Sequence, residues 1–214
     1  MNLDQIQYYK ERAQEFEKIY KKKERQKDIQ FIGNFLIDIC TDKKVFEIAC
    51  GTGFWTKCMS ESASSILATD VNQAVIEIAL SKNYKKPVDF CLANVYDLKA
   101  IQGNFNLGFG GFIWSHVPRQ NLTSFIQELL SKIESGGTVI FIDNRYIEGI
   151  SSNIESEDEN GNTFQIRALE NGTTHKILKN FPKDEELYDL IDPLGTDINI
   201  IKLDYYWLLS CKKR

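Results

Sequence analysis

The chain has 214 residues, of which 43% are hydrophobic and 26% charged, and its formal net charge is −4. This length suits one domain with a sizeable core, and the composition excludes a fibrous or disordered chain. An acidic balance argues against binding to nucleic acid, so we expect no nucleic-acid partner. The short basic runs at 21–23 and 212–214 are better explained as solvated surface.

The five cysteines show no C-x-x-C spacing, and the chain has only two histidines, so we predict no metal site. The N-terminal segment has no apolar signal core, and no stretch approaches the roughly 20 apolar residues of a membrane span. We therefore expect a cytoplasmic protein with no membrane partner, either a monomer or a homodimer.

The first predicted element is a helix over 3–23, because five apolar positions recur at spacings of three and four: Ile6, Tyr9, Ala13, Phe16 and Tyr20. A second helix is predicted over 25–40. From Val45 onwards strands and helices alternate, with strands predicted at 45–49, 65–69, 88–93, 107–114 and 138–142. Helices are predicted from Phe54, over 72–81 with Asn72 as the N-cap, and over 122–133 before Gly136 and Gly137. This alternation predicts a parallel sheet with helices on both faces.

After residue 143 the pattern changes. A polar loop is predicted over 151–162, and Asn171-Gly172 between two alternating runs predicts a hairpin of strands 163–169 and 173–178. A short helix over 184–191 and two strands at 198–203 and 205–211 follow. The end of the sheet is therefore predicted to be antiparallel.

The most informative stretch, Glu47-Ile-Ala-Cys-Gly-Thr-Gly53, lies between a predicted strand and a predicted helix. Gly51 and Gly53 allow a tight turn and a close approach of the backbone to a ligand. A dinucleotide fingerprint would need a third glycine, but Trp55 stands in that turn, so a nicotinamide cofactor is the least favoured reading.

Two acidic residues add to this motif. Glu47, within the first strand, can meet a cationic amine, and Asp70, at the end of the second strand, can accept hydrogen bonds from ribose hydroxyls. Together with the glycines they indicate a nucleoside bearing an amino-acid tail, which is S-adenosylmethionine (SAM). The alternatives are a cap or salt bridge for Glu47 and a helix cap for Asp70.

Several segments in order resemble class I SAM-dependent methyltransferases. VFEIACGTGFWT at 45–56 resembles the family's first motif, with Ala49 in place of its first glycine. Further resemblances lie at 93–97, where Asn94 replaces the usual Asp of the adenine-binding segment, and at 110–118, 133–139 and 8–16. The resemblance implies an α/β, Rossmann-like, doubly wound and mostly parallel sheet with antiparallel C-terminal strands, an N-terminal helical lid and an inserted β-hairpin. The expected single domain, 1–214, divides into a lid (1–24), a cofactor-binding core (43–143), a hairpin and helix insertion (150–193) and closing strands (197–211).

The resemblance also implies a role for each matching position, with S-adenosylhomocysteine (SAH) as the product. The methionine end of SAM would lie on Glu47, Ala49, Gly51 and Gly53, the ribose on Asp70, and the adenine on Val71, Asn94 and Val95. Trp114 or Ser115 would offer a backbone carbonyl to the amine, Tyr9 and Arg12 would close over the cofactor, and Trp55 would lie near the sulfonium.

His116, after the fourth strand, is the candidate catalytic base; alternatively it fixes the turn at 115–118. Arg145 either binds an acidic substrate or pairs with Asp143 or Glu148. Tyr20 either lines the substrate pocket or packs between helices, and the other histidine, His175, is expected to be exposed.

The favoured function is transfer of a methyl group from SAM to an oxygen or nitrogen atom of a small molecule. Alternatives are methylation of RNA or protein, a catalytically silent SAM-binding partner subunit, and another use of SAM on the same fold. The acidic charge and the lack of a basic extension argue against RNA.

Overall fold

The computed structural model describes residues 3–214. The predicted lid begins at residue 1, and residues 1 and 2 lie outside the described residues. Within the described chain, no helix combines the length and the apolar character needed to cross a membrane.

A seven-stranded sheet forms the centre of the molecule, and its strand order is β3-β2-β1-β4-β5-β10-β9. The first five strands run parallel, whereas β10 is antiparallel to both β5 and β9. The strands are β1 (Lys44–Ile48), β2 (Ser65–Asp70), β3 (Val88–Leu92), β4 (Phe105–Gly111), β5 (Ile133–Asn144), β9 (Gly195–Lys202) and β10 (Tyr206–Lys213). The predicted α/β fold with antiparallel closing strands is confirmed.

Helices cover both faces of this sheet because alternate strand residues point to opposite sides. Val45 of β1 contributes to one apolar cluster and Phe46 to the other. The helices are α1 (Leu3–Glu11), α2 (Gln26–Ile39), α3 (Phe54–Met59), α4 (Gln73–Leu80), α5 (Leu122–Leu130) and α6 (Asp184–Ile191). Helices α2 and α3 contribute to the Val45 cluster, and α5 and α6 contribute to the Phe46 cluster.

A smaller antiparallel sheet lies in the predicted insertion. It consists of β6 (Ser156–Glu157), β7 (Thr163–Ala168) and β8 (Thr174–Leu178), and the β7–β8 hairpin is the one that Asn171-Gly172 predicts. The loop predicted over 151–162 contains the two-residue strand β6, which was not expected.

Three local expectations were wrong. The helix predicted over 3–23 ends at Glu11, and 3₁₀ turns at Phe16–Lys21 and Lys23–Arg25 follow. Gly136 and Gly137 lie inside β5 rather than at the end of a helix, close to a shift in the β4–β5 register. Packing there is tight, because an added Cβ at Gly137 would lie 2.6 Å from the Ile133 side chain. Trp114 lies in a 3₁₀ turn beyond β4.

Candidate active site

The carboxyl ends of the parallel strands meet at one edge of the sheet, where the chain reverses its strand order between β1 and β4. Ligands of open α/β sheets bind in the crevice outside this edge. The segments that follow Ile48, Asp70 and Gly111 all reach it, since those residues end neighbouring strands.

The turn after β1 has an unusual backbone. Ala49, Gly51 and Gly53 all have positive φ angles, of 52°, 55° and 77°. A Cβ at Gly53 would lie 2.5 Å from the Tyr84 hydroxyl, so close packing excludes any side chain there. A Cβ at Gly51 would have only Phe16 within 4 Å, at 3.9 Å, so this glycine borders open space beneath the lid.

Asp70 holds this turn. Its carboxylate accepts hydrogen bonds from the backbone N–H of Gly51 and of Asn72, both at 2.9 Å. Burial raises the pKa of Asp70, and these N–H donors oppose that shift. The helix cap of α4 is Asn72, as predicted, because its side chain accepts from the N–H of Ala74.

Glu47 lies beneath the turn and is 2% exposed. Burial raises its pKa to about 8, against a hydrogen bond from the Thr56 hydroxyl at 2.6 Å. Its carboxyl group therefore tends to be protonated at neutral pH until a cation approaches it.

A cavity of about 90 Å³ opens over these residues, and we call it the strand-end cavity. Six of the residues predicted to bind the cofactor line it: Tyr9, Ala49, Gly51, Asp70, Val71 and Val95. Its wall also includes residues that the sequence analysis did not select, namely Gln5, Ile6, Phe16, Asn72, Val75, Phe112 and Ile113.

Other predicted cofactor residues lie outside this cavity. Besides the buried Glu47 and Gly53, Trp55 is 5% exposed and stacks on Phe112, one layer behind the wall. Asn94 is exposed, accepts from the N–H of Tyr96 and borders a separate surface groove.

The backbone carbonyls of Trp114 and Ser115 already accept hydrogen bonds, from Val117 at 3.1 Å and Asn180 at 2.8 Å. Neither residue lines the strand-end cavity. A role of either carbonyl in binding the methionine amine stays a prediction.

A second cavity, of about 270 Å³, adjoins the first and lies between the N-terminal segment and the small sheet. Its described lining contains no Asp or Glu but includes seven basic side chains: Arg12, Lys18, Lys22, Arg25, Arg145, Arg167 and Lys179. We call it the basic cavity. Arg12, expected to close over the cofactor, lies here instead.

Both residues predicted to contact substrate, Tyr20 and Arg145, line the basic cavity. Tyr20 is 7% exposed and stacks on Phe54 with ring centroids 3.9 Å apart, so it packs against a neighbouring helix and also lines the cavity. Arg145 donates to the Leu203 carbonyl at 2.5 Å, and among the described residues it has no carboxylate partner, in contrast to either of the predicted ion pairs.

Four residues line both cavities and form what we call the junction: Tyr9, Phe16, Phe112 and His116. Phe112 has a φ of 60°, a strained conformation for a residue with a side chain, and strain of this kind clusters at functional sites. Three aromatic rings and one imidazole therefore separate the two spaces.

His116 has a defined tautomer. Its Nδ1 lies 2.7 Å from the Leu178 carbonyl oxygen, which can only accept, so Nδ1 carries the proton. Its Nε2 therefore accepts from the Tyr9 hydroxyl at 2.7 Å. Burial and the nearby Lys179 hold the pKa of His116 well below its ordinary value, so the ring is neutral.

A buried ion pair lies behind the junction. Lys179 Nζ is 2.9 Å from Asp143 and 2.5 Å from the Ser115 hydroxyl, which itself donates to Asp143 at 2.8 Å. Burial would raise the pKa of Asp143, but the charge of Lys179 and hydrogen bonds from the backbone N–H groups of Ser115 and Asn144 bring it below its usual range. Ser115 thus acts through its side chain in this network.

The N-terminal segment is fastened over the strand-end cavity. Thr52, in the turn, donates to Glu17 at 2.7 Å, and Asn72 donates to the Ile6 carbonyl at 3.3 Å. His175 of β8, expected to be exposed, is only 7% exposed and lies 2.7 Å from Asp4 and 3.2 Å from Glu11. These contacts make 3–21 a lid in this structure.

Comparison with known proteins agrees with this geometry. The methyltransferase domain family matches residues 45–137, from β1 into β5. That match covers less than half of the chain and agrees with the predicted resemblance to SAM-dependent methyltransferases. The similarity to solved structures, among them DhpI in complex with SAH and with SAM, confirms the predicted fold.

Individual relatives have low sequence identity to this chain. DhpI, solved as a complex with SAM and HEP, is 21% identical with a TM-score of 0.79, covering 98% of this chain and 96% of its own. A SAM-dependent methyltransferase from Clostridium acetobutylicum is 16% identical with a TM-score of 0.67, covering 94% and 98%. Demethylmenaquinone methyltransferase from Lactococcus lactis is 27% identical over 109 residues, which are 48% of this chain and 42% of that protein. The chain thus matches less than half the length of this relative.

Proposed function

We propose that the protein transfers the methyl group of SAM to an oxygen or nitrogen atom of a small molecule held in the basic cavity. The observation that carries this proposal is the junction, whose four residues line both cavities. A methyl donor and a methyl acceptor must approach within about 3–3.5 Å in line, and two adjoining cavities allow this.

The residues of the strand-end cavity fit SAM. The carboxylate of Asp70 lies at the wall, fixed by two backbone donors, as recognition of ribose hydroxyls requires. Bound SAM would supply an electrophilic methyl group on a sulfonium, and the rings of Tyr9, Phe16 and Phe112 are suited to face that positive charge.

The chain's own residues would orient the acceptor and exclude water. His116 is neutral, and the only ring nitrogen that can accept a hydrogen bond, Nε2, already accepts one from Tyr9. As a base, His116 would receive a proton at Nε2, either from the substrate directly or through the Tyr9 hydroxyl. A substrate that arrives deprotonated would need no base.

The test is transfer of a labelled methyl group from SAM to a collection of metabolites. We expect labelled product with the wild-type protein and none with Gly51→Arg, whose side chain would fill the strand-end cavity. Gly172→Arg is the matched control, because Gly172 also has a positive φ, of 87°, but lies in the hairpin turn with nothing within 4 Å. SAM binding without any labelled product would instead support a silent partner subunit, and equal activity in Gly51→Arg would contradict the assigned cavity.

DhpI and demethylmenaquinone methyltransferase are the named relatives that bear on the substrate. DhpI was solved with HEP beside SAM, and the second name denotes methylation of a menaquinone precursor. Both support a small-molecule acceptor here.

A further inference from the structure

The protein as a whole is acidic, with a net charge of −4, yet one of its cavities is lined by cations alone among charged side chains. Two of these cations are exposed lysines, and one of them, Lys18, pairs with Glu170. Lys179 is neutralised by Asp143. Apart from the exposed Lys22, the charge that is left belongs to arginines.

Arg12, Arg25 and Arg167 make hydrogen bonds to neutral groups only. Arg12 donates to the Tyr8 hydroxyl at 2.9 Å, Arg25 to the Tyr206 hydroxyl at 3.2 Å, and Arg167 to the Gln165 side-chain oxygen at 2.6 Å. Within residues 3–214, no carboxylate oxygen lies within ion-pair distance of these three guanidinium groups. In addition, Nε of Arg25 is buried without a hydrogen-bond partner.

Such a cluster is electrostatically costly without an anion. Burial lowers the pKa of Lys179 most, and Arg167 and Arg25 lower it further, in opposition to Asp143. Arg167 acts in the same direction on His116, so its positive field extends to the junction. A bound anion would relieve this repulsion and supply the missing acceptors.

We infer that the substrate of the basic cavity is a small organic oxyanion, whose phosphoryl or carboxyl group is held by Arg12, Arg25 and Arg167. The inference rests on the proposed function, which assigns this cavity to the methyl acceptor. Guanidinium groups suit this ligand because their planar N–H donors match the spacing of two anionic oxygens. Arg12 lies beside the junction, with its Cζ 5.7 Å from the centroid of the Phe16 ring.

The test uses inorganic phosphate and acetate as probes, titrated by calorimetry into the wild-type protein saturated with SAH. Arg25→Gln and Arg167→Gln each remove one cation and its donors, and Arg214→Gln removes the same charge outside the cavity. We expect at least one probe to bind, and each cavity variant to weaken it about tenfold or more, with no change in Arg214→Gln. Stronger binding of phosphate would indicate a phosphoryl group, and stronger binding of acetate a carboxyl group.

Arg167→Lys provides a second variant if a Gln variant fails to fold. It keeps the charge but loses the paired donors, so we expect weakening between those of wild type and Arg167→Gln. Failure of both probes to bind, or equal binding by all variants, would overturn the inference. Loss of SAH binding in the wild-type protein would contradict the proposed function itself, whereas SAH binding without anion binding would contradict only the oxyanion.

Discussion

Ala49 stands where class I methyltransferases have their first motif glycine, and the structure shows what that replacement costs. Its φ of 52° lies in the left-handed region, and its side chain lines the strand-end cavity. A residue with a Cβ in this region carries strain of about 1–3 kcal/mol. At Ala49 the turn thus keeps a backbone conformation typical of glycine, although the residue there is alanine.

Ala49→Gly should therefore stabilise the protein by about 1 kcal/mol, because relief of strain exceeds the extra entropy lost by glycine on folding. In a thermal unfolding experiment this corresponds to a rise of about 2–4 °C in Tm for a chain of this size. Ala100→Gly, in an exposed turn without positive φ, is the control and should not raise Tm. A lower Tm for Ala49→Gly would contradict the strain.

Glu47 lies beneath the same turn, and its pKa of about 8 makes its protonation state sensitive to a ligand. Because this pKa is raised, the free energy of unfolding of the ligand-free protein should fall as pH rises from about 4.3 towards 8. The amine of a bound SAM would stabilise the carboxylate and lower that pKa.

Binding of SAM near pH 7 should then release a fraction of a proton, which calorimetry in buffers of different ionisation enthalpy measures. Glu47→Gln should abolish the release and weaken binding, whereas Glu159→Gln, on the exposed loop, should change neither. Identical proton release by Glu47→Gln and wild type would show that Glu47 does not meet the amine.

The positions of Gly51 in the turn and of Asp70 at the end of β2 could be predicted, because their spacing along the sequence identifies them. Phe112 could not be predicted, since its role depends on a positive φ that no sequence pattern signals. Arg167 belongs to a hairpin whose docking against the lid depends on long-range contacts. The roles predicted for individual cofactor residues stay predictions.

At the scale of elements, the lid and the hairpin are held together by His175 of β8, which lies between Asp4 and Glu11 of α1. The hydrogen bond to Asp4 is the main cause that raises the pKa of His175, with Glu11 adding to it. A raised pKa means that the ion pairs stabilise the lid fully below about pH 6.5 and lose that effect as pH rises through the higher pKa of the folded protein.

Hydrogen exchange of 3–21, expressed as protection factors, should therefore show a lid that loosens with rising pH. His175→Ala should reduce protection at low pH and remove the pH dependence, while Thr174→Ala, on the exposed side of the same strand, should behave as wild type. A lid whose protection does not change with pH in the wild-type protein would contradict this account.

The lid also shows why periodicity alone misjudged its secondary structure. The spacing of its apolar residues predicted one helix, but the chain leaves the helix after Glu11 and brings Phe16 against the junction. Contacts such as Glu17 with Thr52 stabilise the 3₁₀ turns that follow. In the alternating segment 45–143, by contrast, every predicted strand and helix overlaps an observed one, although β4 ends at Gly111 and β5 begins at Ile133. Burial on a sheet there agrees with the hydrophobic pattern of the sequence.

At the scale of the whole molecule, the α/β topology could be predicted from alternation, and the closing strands from two strand-like runs on either side of Asp204. The basic cavity could not, because its arginines come from separate segments: Arg12 after α1, Arg25 before α2, Arg145 after β5 and Arg167 in β7. The net charge of −4 gives no sign of this concentration. Only the assembled fold brings these cations together.

The central claim is that SAM binds beneath the lid at the carboxyl edge of the sheet. A calorimetric titration of the full chain with SAM tests it most directly, with Gly51→Arg and Gly172→Arg measured in parallel. The account predicts one SAM bound per chain in the wild type and in Gly172→Arg, and no binding in Gly51→Arg. Absence of binding to the folded wild-type protein at millimolar SAM, or undiminished binding by Gly51→Arg, would contradict it.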